Sequence, residues 1–149
     1  MKPLSGLKVL DLSRVLAGPL CTMILADLGA EVVKVEPPWG DETRGWGPPF
    51  VEGESAYFLA VNRGKRSVAL DLKRPERQEA VRPLAQKADV LVENFKTGDL
   101  RRFGLDYERL KPLNLRLIYL SITCFGHTGP RANELRYEPA LQAHIGIMA

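Results

Sequence analysis

The sequence predicts an α/β fold built on an open, Rossmann-like parallel sheet. The first observation is a strand, helix and strand pattern between Leu7 and Glu36. The second is that segments of strand and helix character keep alternating along the rest of the chain, which gives about five strands. The third is size, because 149 residues with 45% apolar residues are enough for one domain with its own core. We therefore interpret residues 1–149 as one α/β domain.

The first unit begins with the apolar run Leu7–Leu12 and ends with the β-branched run Glu31–Glu36. Between them, Pro19 suits a first helical position, and apolar residues recur at helical spacing as far as Leu28. Such a unit is right-handed and its two strands are parallel. Because ligands bind beyond the carboxyl ends of parallel strands, loop 13–18 is the first place to expect a site.

The remaining elements follow in alternation. Residues 37–50 are dense in glycine and proline and predict a long loop that packs down through its aromatic residues, either as a lid over a ligand or as a structural wrap. The later elements are predicted in this order: a helix over 55–62, a strand over 67–72, a helix over 75–87 that contains Pro83, a strand over 89–93, short helices over 99–103 and 107–113, a strand over 115–122 and a helix over 138–148.

Composition excludes several classes of protein. The net charge of +3 comes without any run of five like charges, so it indicates a solvated basic face and not a nucleic-acid-binding surface. The longest apolar run, 15–26, is too short and too interrupted to span a membrane, and the amino terminus has no signal-peptide pattern. Cys21 and Cys124 lie far apart without a metal-binding spacing. We expect a soluble, cytoplasmic protein with reduced thiols and no metal.

Common cofactor and nucleophile motifs are missing from the sequence. The first loop has a single glycine, Gly18, where a dinucleotide-binding loop would have three, so neither NAD nor FAD is expected. A phosphate-binding loop of the nucleotide hydrolases and a serine nucleophile elbow are also missing. His127 and His144 have no evident nucleophile partner in the sequence.

Five sequence blocks, at 7–19, 28–36, 40–46, 62–73 and 89–95, form a specific signal when order and spacing are considered together. They resemble the family III CoA-transferases, which include formyl-CoA, carnitine and succinyl-CoA dependent transferases and the related 2-methylacyl-CoA racemases. The resemblance extends over the whole chain. It implies that CoA or acyl-CoA is the substrate, that a carboxylic acid is the second substrate, and that the subunits form interlocked homodimers.

The resemblance also implies a set of CoA-binding residues. These are Val15, Leu16 and Ala17 at the adenine end, Leu70 and Lys73 at the nucleotide, Asn94, Phe95, Arg102 and Phe103 in the next cluster, and Tyr137 near the thiol-bearing arm. The chemistry is suitable, because Lys73 and Arg102 can supply positive charge to phosphates while the phenylalanines offer apolar faces. One departure is Pro37, where some members have an arginine that helps to hold the phosphates.

The resemblance favours a transferase over a racemase. Racemases of the family have a histidine and an aspartate where this chain has Tyr137 and Glu138, because removal of an α-proton needs a base. The transferase nucleophile is an aspartate that lies further along than Met148 and forms a mixed anhydride, so residues 1–149 are expected to contain no catalytic residue. We therefore interpret the chain as the amino-terminal part of the large domain, without the smaller second domain. The alternatives are a non-catalytic module that binds CoA or a partner, and a 2-methylacyl-CoA racemase.

Overall fold

The computed structural model describes residues 1–134 and 138–148. In chain order, its elements are β1 (Lys8–Asp11), α1 (Ala17–Asp27), β2 (Glu31–Glu36), a 3-10 helix (Glu42–Gly45), β3 (Phe50–Val51), β4 (Glu54–Ser55), α2 (Ala56–Asn62), β5 (Lys65–Ala69), α3 (Pro75–Lys87), β6 (Val90–Glu93), α4 (Asp99–Arg102), α5 (Tyr107–Leu110), β7 (Ile118–Ser121) and α6 (Glu138–His144). No helix of this described part is long and apolar enough to cross a membrane.

Five of the strands form one parallel sheet in the order β5-β2-β1-β6-β7. After β1 the chain winds outward through β2 and β5, and it then returns to the other side of β1 to form β6 and β7. The predicted open parallel α/β sheet is therefore confirmed. The order reverses between β1 and β6, and a crevice at such a point is where parallel sheets bind ligands.

The core occupies both faces of the sheet. Successive residues of a strand point to opposite faces, so Val9 and Leu10 of β1 belong to different clusters. Leu10 packs with Val81 of α3, and Val9 packs with Ala26 of α1. Helices therefore cover the two faces, as a buried parallel sheet requires, and only the strand ends remain for a site.

The limits of β5 differ from the prediction of 67–72. The strand begins at Lys65, which the apolar pattern did not include, and ends at Ala69. The Leu70 amide still donates to the Glu36 carbonyl at 2.7 Å, but Asp71 then forms a turn by accepting a hydrogen bond from the Arg74 amide. The predicted first residue of the strand was wrong because Lys65 lies in the strand with its ammonium group buried.

Residues 37–50 were predicted as a long loop without a regular helix or a central strand, and two short elements lie within it or begin at its end. The Asp41 side chain accepts a hydrogen bond from the Thr43 amide and caps the short 3-10 helix. Further on, β3 pairs with β4 as an antiparallel hairpin of two residues a side. Elements this short have no periodicity from which to predict them.

Four further elements are shorter than predicted: α4 ends at Arg102, α5 at Leu110 and α6 at His144, while β7 covers Ile118–Ser121.

Candidate ligand-binding site

The loops that follow β1 and β6 are joined at the point where the strand order reverses. The Leu12 amide donates to the Val92 carbonyl at 2.8 Å, which carries the sheet ladder past the end of β1. Two residues later the Asn94 side chain replaces the backbone as the partner of the first loop. It accepts a hydrogen bond from the Arg14 amide at 2.8 Å and donates one to the Arg14 carbonyl at 2.7 Å. Asn94 therefore fixes the first loop from across the crevice.

Three of the predicted apolar residues share one packing surface. The rings of Phe95 and Phe103 meet edge to face, with centroids 6.5 Å apart. Both rings and the side chain of Leu70 pack against the core cluster on the α3 face of the sheet. The Arg14 guanidinium carbon lies 5.1 Å from the centroid of the Phe95 ring, so this surface continues into the first loop.

The predicted cations are less closely assembled. The Lys73 ammonium lies 5.9 Å from the ring centroid of Trp39, in the loop after β2. The Arg102 side chain is 81% exposed and lies 3.7 Å from an Asp99 carboxylate oxygen. Tyr137 lies outside the described residues. That these residues bind CoA stays a prediction.

A buried ion pair that was not predicted from the sequence supports loop 13–18. The Lys34 ammonium and the Asp41 carboxylate are 3.0 Å apart, and their side chains are 2% and 1% exposed. Lys34 also donates to the Ser13 carbonyl at 2.7 Å, and the Val15 amide donates to Asp41 at 3.4 Å. Burial raises the pKa of Asp41, but the charge of Lys34 together with the hydrogen bonds from Thr43 and Lys34 lowers the pKa overall. The only signal in the sequence was a lysine between two valines of a buried strand.

A second buried pair joins β5 to the end of β1. The Lys65 ammonium lies 3.0 Å from the Asp11 carboxylate and also donates to the carbonyl of Pro19. Burial lowers the pKa of Lys65, and Asp11 opposes this shift. Asp11 in turn accepts hydrogen bonds from the Ser13 amide at 2.9 Å and from the Thr22 hydroxyl at 2.6 Å. The start of the first loop and the start of α1 are thereby fixed to one carboxylate.

The backbone of the first loop is strained at Val15 and closely packed at Gly18. Val15 has a φ of 67°, a left-handed conformation that is unfavourable for a β-branched residue. Such conformations persist only where surrounding contacts hold them, and they cluster at functional sites. At Gly18, a Cβ atom would lie 2.2 Å from the Cβ atom of Ser13. The single glycine of the loop therefore permits close contact between the loop and α1. Of the other predicted loop residues, Leu16 is half-buried and Ala17 is exposed.

The loop after β2 is anchored to the sheet edge by Glu36. The Arg44 guanidinium donates two hydrogen bonds to this carboxylate, at 2.8 and 2.9 Å, and the Ser67 hydroxyl donates a third at 2.6 Å. Burial raises the pKa of Glu36, but these hydrogen bonds outweigh it and lower the pKa to about 2. The Arg44 guanidinium also stacks on Phe58, 3.8 Å from the ring centroid. These contacts anchor the segment, whereas its aromatic residues Trp39, Trp46 and Phe50 are exposed. The prediction that the segment packs down through its aromatic residues was therefore wrong.

This anchor predicts a dependence of stability on pH. The folded pKa of Glu36, about 2, is below its ordinary value of 4.5, so its contribution is complete above about pH 4.5 and is lost as the pH falls towards 2. Thermal unfolding of the intact protein and of Glu36→Gln, followed between pH 6 and about pH 2.5, measures this contribution. We expect the wild type to lose its advantage over the variant across that range. Parallel curves for the two proteins would contradict the assignment.

A cavity of about 730 Å³ lies beside the Asn94 loop, at the carboxyl ends of β6 and β7. Its lining includes the carboxylate of Glu93, the cations Lys96 and Arg101, and the side chains of Tyr119 and His127. Glu93 is buried, which raises its pKa, and it accepts a hydrogen bond from the Phe95 amide at 2.8 Å. The sequence does not predict this cavity, because its lining comes from segments without a common motif. Within the described residues, no group of three potential metal ligands is clustered.

The fold and the crevice define a class of protein. A parallel α/β sheet whose loops meet where the strand order reverses is typical of domains that bind nucleotide-containing ligands. A sequence model of CoA-transferase family III matches residues 4–149, and the chain belongs to this family.

Individual relatives agree with this family membership. The chain is 54% identical to a succinate–glutarate CoA-transferase of Agrobacterium fabrum, with 99% of the chain and 38% of the relative aligned. It is 53% identical to a succinyl-CoA:mesaconate CoA-transferase of Haloarcula hispanica, with 99% and 39% aligned. Among solved structures, a CAIB/BAIF family protein from Brucella suis superimposes with a TM-score of 0.95 at 56% identity, covering 99% of this chain and 40% of that one. The chain thus spans less than two fifths of the length of these curated relatives.

Proposed function

We propose that the intact protein is a CoA-transferase, which moves CoA between an acyl-CoA thioester and a free carboxylic acid, and that residues 1–149 provide its CoA-binding part. Family membership and the names of the relatives support the reaction class. The observation that carries the location is the reciprocal pair of hydrogen bonds between Asn94 and Arg14. It joins two predicted CoA-binding segments across the crevice of the sheet.

Different residues of the site contact different parts of CoA. The cations Lys73 and Arg102 attract the phosphates of CoA, because charge-assisted hydrogen bonds to phosphate are strong. Phe95 and Phe103 offer apolar faces beside them. The buried pair Lys34–Asp41 fixes the position of the first loop through the Ser13 carbonyl and the Val15 amide.

The chemical step uses an aspartate that the family resemblance places beyond Met148. Its carboxylate attacks the thioester carbonyl, the C–S bond breaks, and CoA thiolate leaves with an acyl anhydride on the enzyme. The thiolate then attacks the aspartyl carbonyl, which releases the first acid and forms an enzyme thioester. The carboxylate of the second acid then attacks the aspartyl thioester, which releases CoA thiolate and forms a second anhydride. The thiolate attacks the acyl carbonyl of this anhydride, so that the new acyl-CoA leaves and the aspartate is regenerated. We further propose that the intact protein is a homodimer and acts in the cytoplasm.

The direct assay supplies the intact protein with succinyl-CoA and glutarate, the pair named for its relatives. We expect glutaryl-CoA and succinate to form in equal amounts. Other dicarboxylates, including mesaconate, test the breadth of the acceptor. Failure of every small acyl-CoA donor would contradict the proposed reaction.

Asn94→Ala tests the proposed location. The substitution removes two hydrogen bonds that hold the first loop, each contributing about 1 kcal/mol, so we expect CoA to bind up to about thirtyfold more weakly by calorimetry. Asn114→Ala is the matched control, because Asn114 also donates to two carbonyls, those of Ala85 and Ala88, but at the end of α3. The control is expected to lower the melting temperature without changing CoA affinity. Equal CoA affinity for Asn94→Ala and the wild type would place the ligand elsewhere.

A further inference from the structure

Trp39 is the most exposed of the tryptophan, phenylalanine and tyrosine side chains in the described part of the chain. Its side chain is 70% exposed, although an indole of this size is usually covered in a folded protein. The loop that carries it is not loose: Gly40 donates a hydrogen bond to the Pro37 carbonyl, and Asp41 is buried in the ion pair with Lys34. An exposed ring on an anchored loop is a preformed apolar surface, most of which faces solvent.

The position of Trp39 connects two groups of predicted CoA-binding residues. On one side, the Lys73 ammonium lies 5.9 Å from the centroid of its ring. On the other side, Asp41 accepts a hydrogen bond from the amide of Val15 in the first loop. The strand order β5-β2-β1 explains this arrangement, because the loop after β2 lies between the loops after β5 and β1.

We infer that Trp39 provides a stacking surface for the adenine of CoA, with Lys73 beside it as the cation for the 3′-phosphate. The inference rests on the proposed function and adds a residue that the family resemblance did not supply. An aromatic ring stacks on a purine through its face, and this contact is largely insensitive to hydrogen-bonding pattern. A lysine on the same surface can reach a phosphate of the stacked nucleotide, since its ammonium is a flexible point charge. Together they distinguish the nucleotide end of CoA from its pantetheine end.

The test compares CoA with 4′-phosphopantetheine, which lacks the adenosine part, by calorimetry on the intact protein. Trp39→Ala is expected to weaken CoA binding about tenfold or more, as loss of a base-stacking ring does, and to leave 4′-phosphopantetheine binding unchanged. Trp39→Phe retains a ring and should recover most of the loss. For Lys73→Ala, the loss should be seen with CoA and should be small with dephospho-CoA, which lacks the 3′-phosphate.

Trp46→Phe is the matched control, because Trp46 lies in the same segment but packs against Tyr57, with centroids 5.3 Å apart. It should not alter the ratio of the two affinities. Equal losses for CoA and 4′-phosphopantetheine in Trp39→Ala would show a merely structural role and overturn the inference, as would unchanged CoA affinity. A wild-type protein that binds no CoA would instead overturn the proposed function itself.

Discussion

Replacing Lys34 with methionine is expected to destabilise the protein by about 3–5 kcal/mol, because it leaves the Asp41 carboxylate buried without its cation. The Ser13 carbonyl loses its hydrogen bond from Lys34 at the same time, so the first loop is no longer held. We expect a melting temperature lower by at least about 5 °C and CoA affinity lower by at least about tenfold. Differential scanning fluorimetry and calorimetry on the intact protein measure the two effects.

The control for Lys34→Met is Arg63→Met, which breaks the ion pair with Asp27 at the surface. The side chains of that pair are 57% and 42% exposed, so water screens them and their contribution to stability is about 0–1 kcal/mol. The double variant Lys34→Met with Asp41→Leu removes both buried charges and should recover part of the stability but not the CoA affinity. A Lys34→Met protein as stable as the control variant would contradict the role assigned to the buried pair.

Gly18→Ala is expected to weaken CoA binding by at least about tenfold, since its new methyl group would lie 2.2 Å from the Cβ atom of Ser13. Either the new methyl group or Ser13 must move, and Ser13 belongs to loop 13–18, which forms one side of the crevice. Overpacking of this kind costs about 1–3 kcal/mol, more than the helix propensity of about 1 kcal/mol gained from alanine. Isothermal calorimetry with CoA and a thermal melt provide the measurement.

Gly45→Ala provides the comparison for Gly18→Ala. A Cβ atom at Gly45 would have no atom within 4 Å, so this substitution in the 3-10 helix should change neither CoA affinity nor the melting temperature appreciably. If the two alanine variants bind CoA equally well, the close contact between the first loop and α1 is not needed for binding.

The sequence predicted those parts of the fold that depend on apolar pattern. The β-branched run Glu31–Glu36 is β2 without any change of limits, and the helix over 75–87 is α3 even though it contains Pro83. The pattern failed at the start of β5, where a charged residue is buried at the end of a strand. Lys65 reads as a polar loop residue, but its ammonium group is enclosed by Asp11 and the Pro19 carbonyl, and β5 therefore begins earlier than predicted.

The candidate site divides in a similar way. The family resemblance supplied Asn94, and the structure shows it holding the first loop by two hydrogen bonds. The sequence could not supply the partners of Lys34, because Asp41 and Ser13 approach it only after the sheet has formed. Nor could it show that Trp39 is exposed, since a tryptophan between prolines and glycines is as suitable for packing as for binding.

The central claim is that CoA binds at the carboxyl edge of the sheet, between the loop after β1 and the loop after β6. The most direct test is a crystal structure of the intact protein with CoA bound. We expect its phosphates beside loop 13–18 and Lys73, and its adenine on the ring of Trp39. CoA bound at another surface, with the crevice between Arg14 and Asn94 and the edge at Lys73 untouched, would contradict the claim.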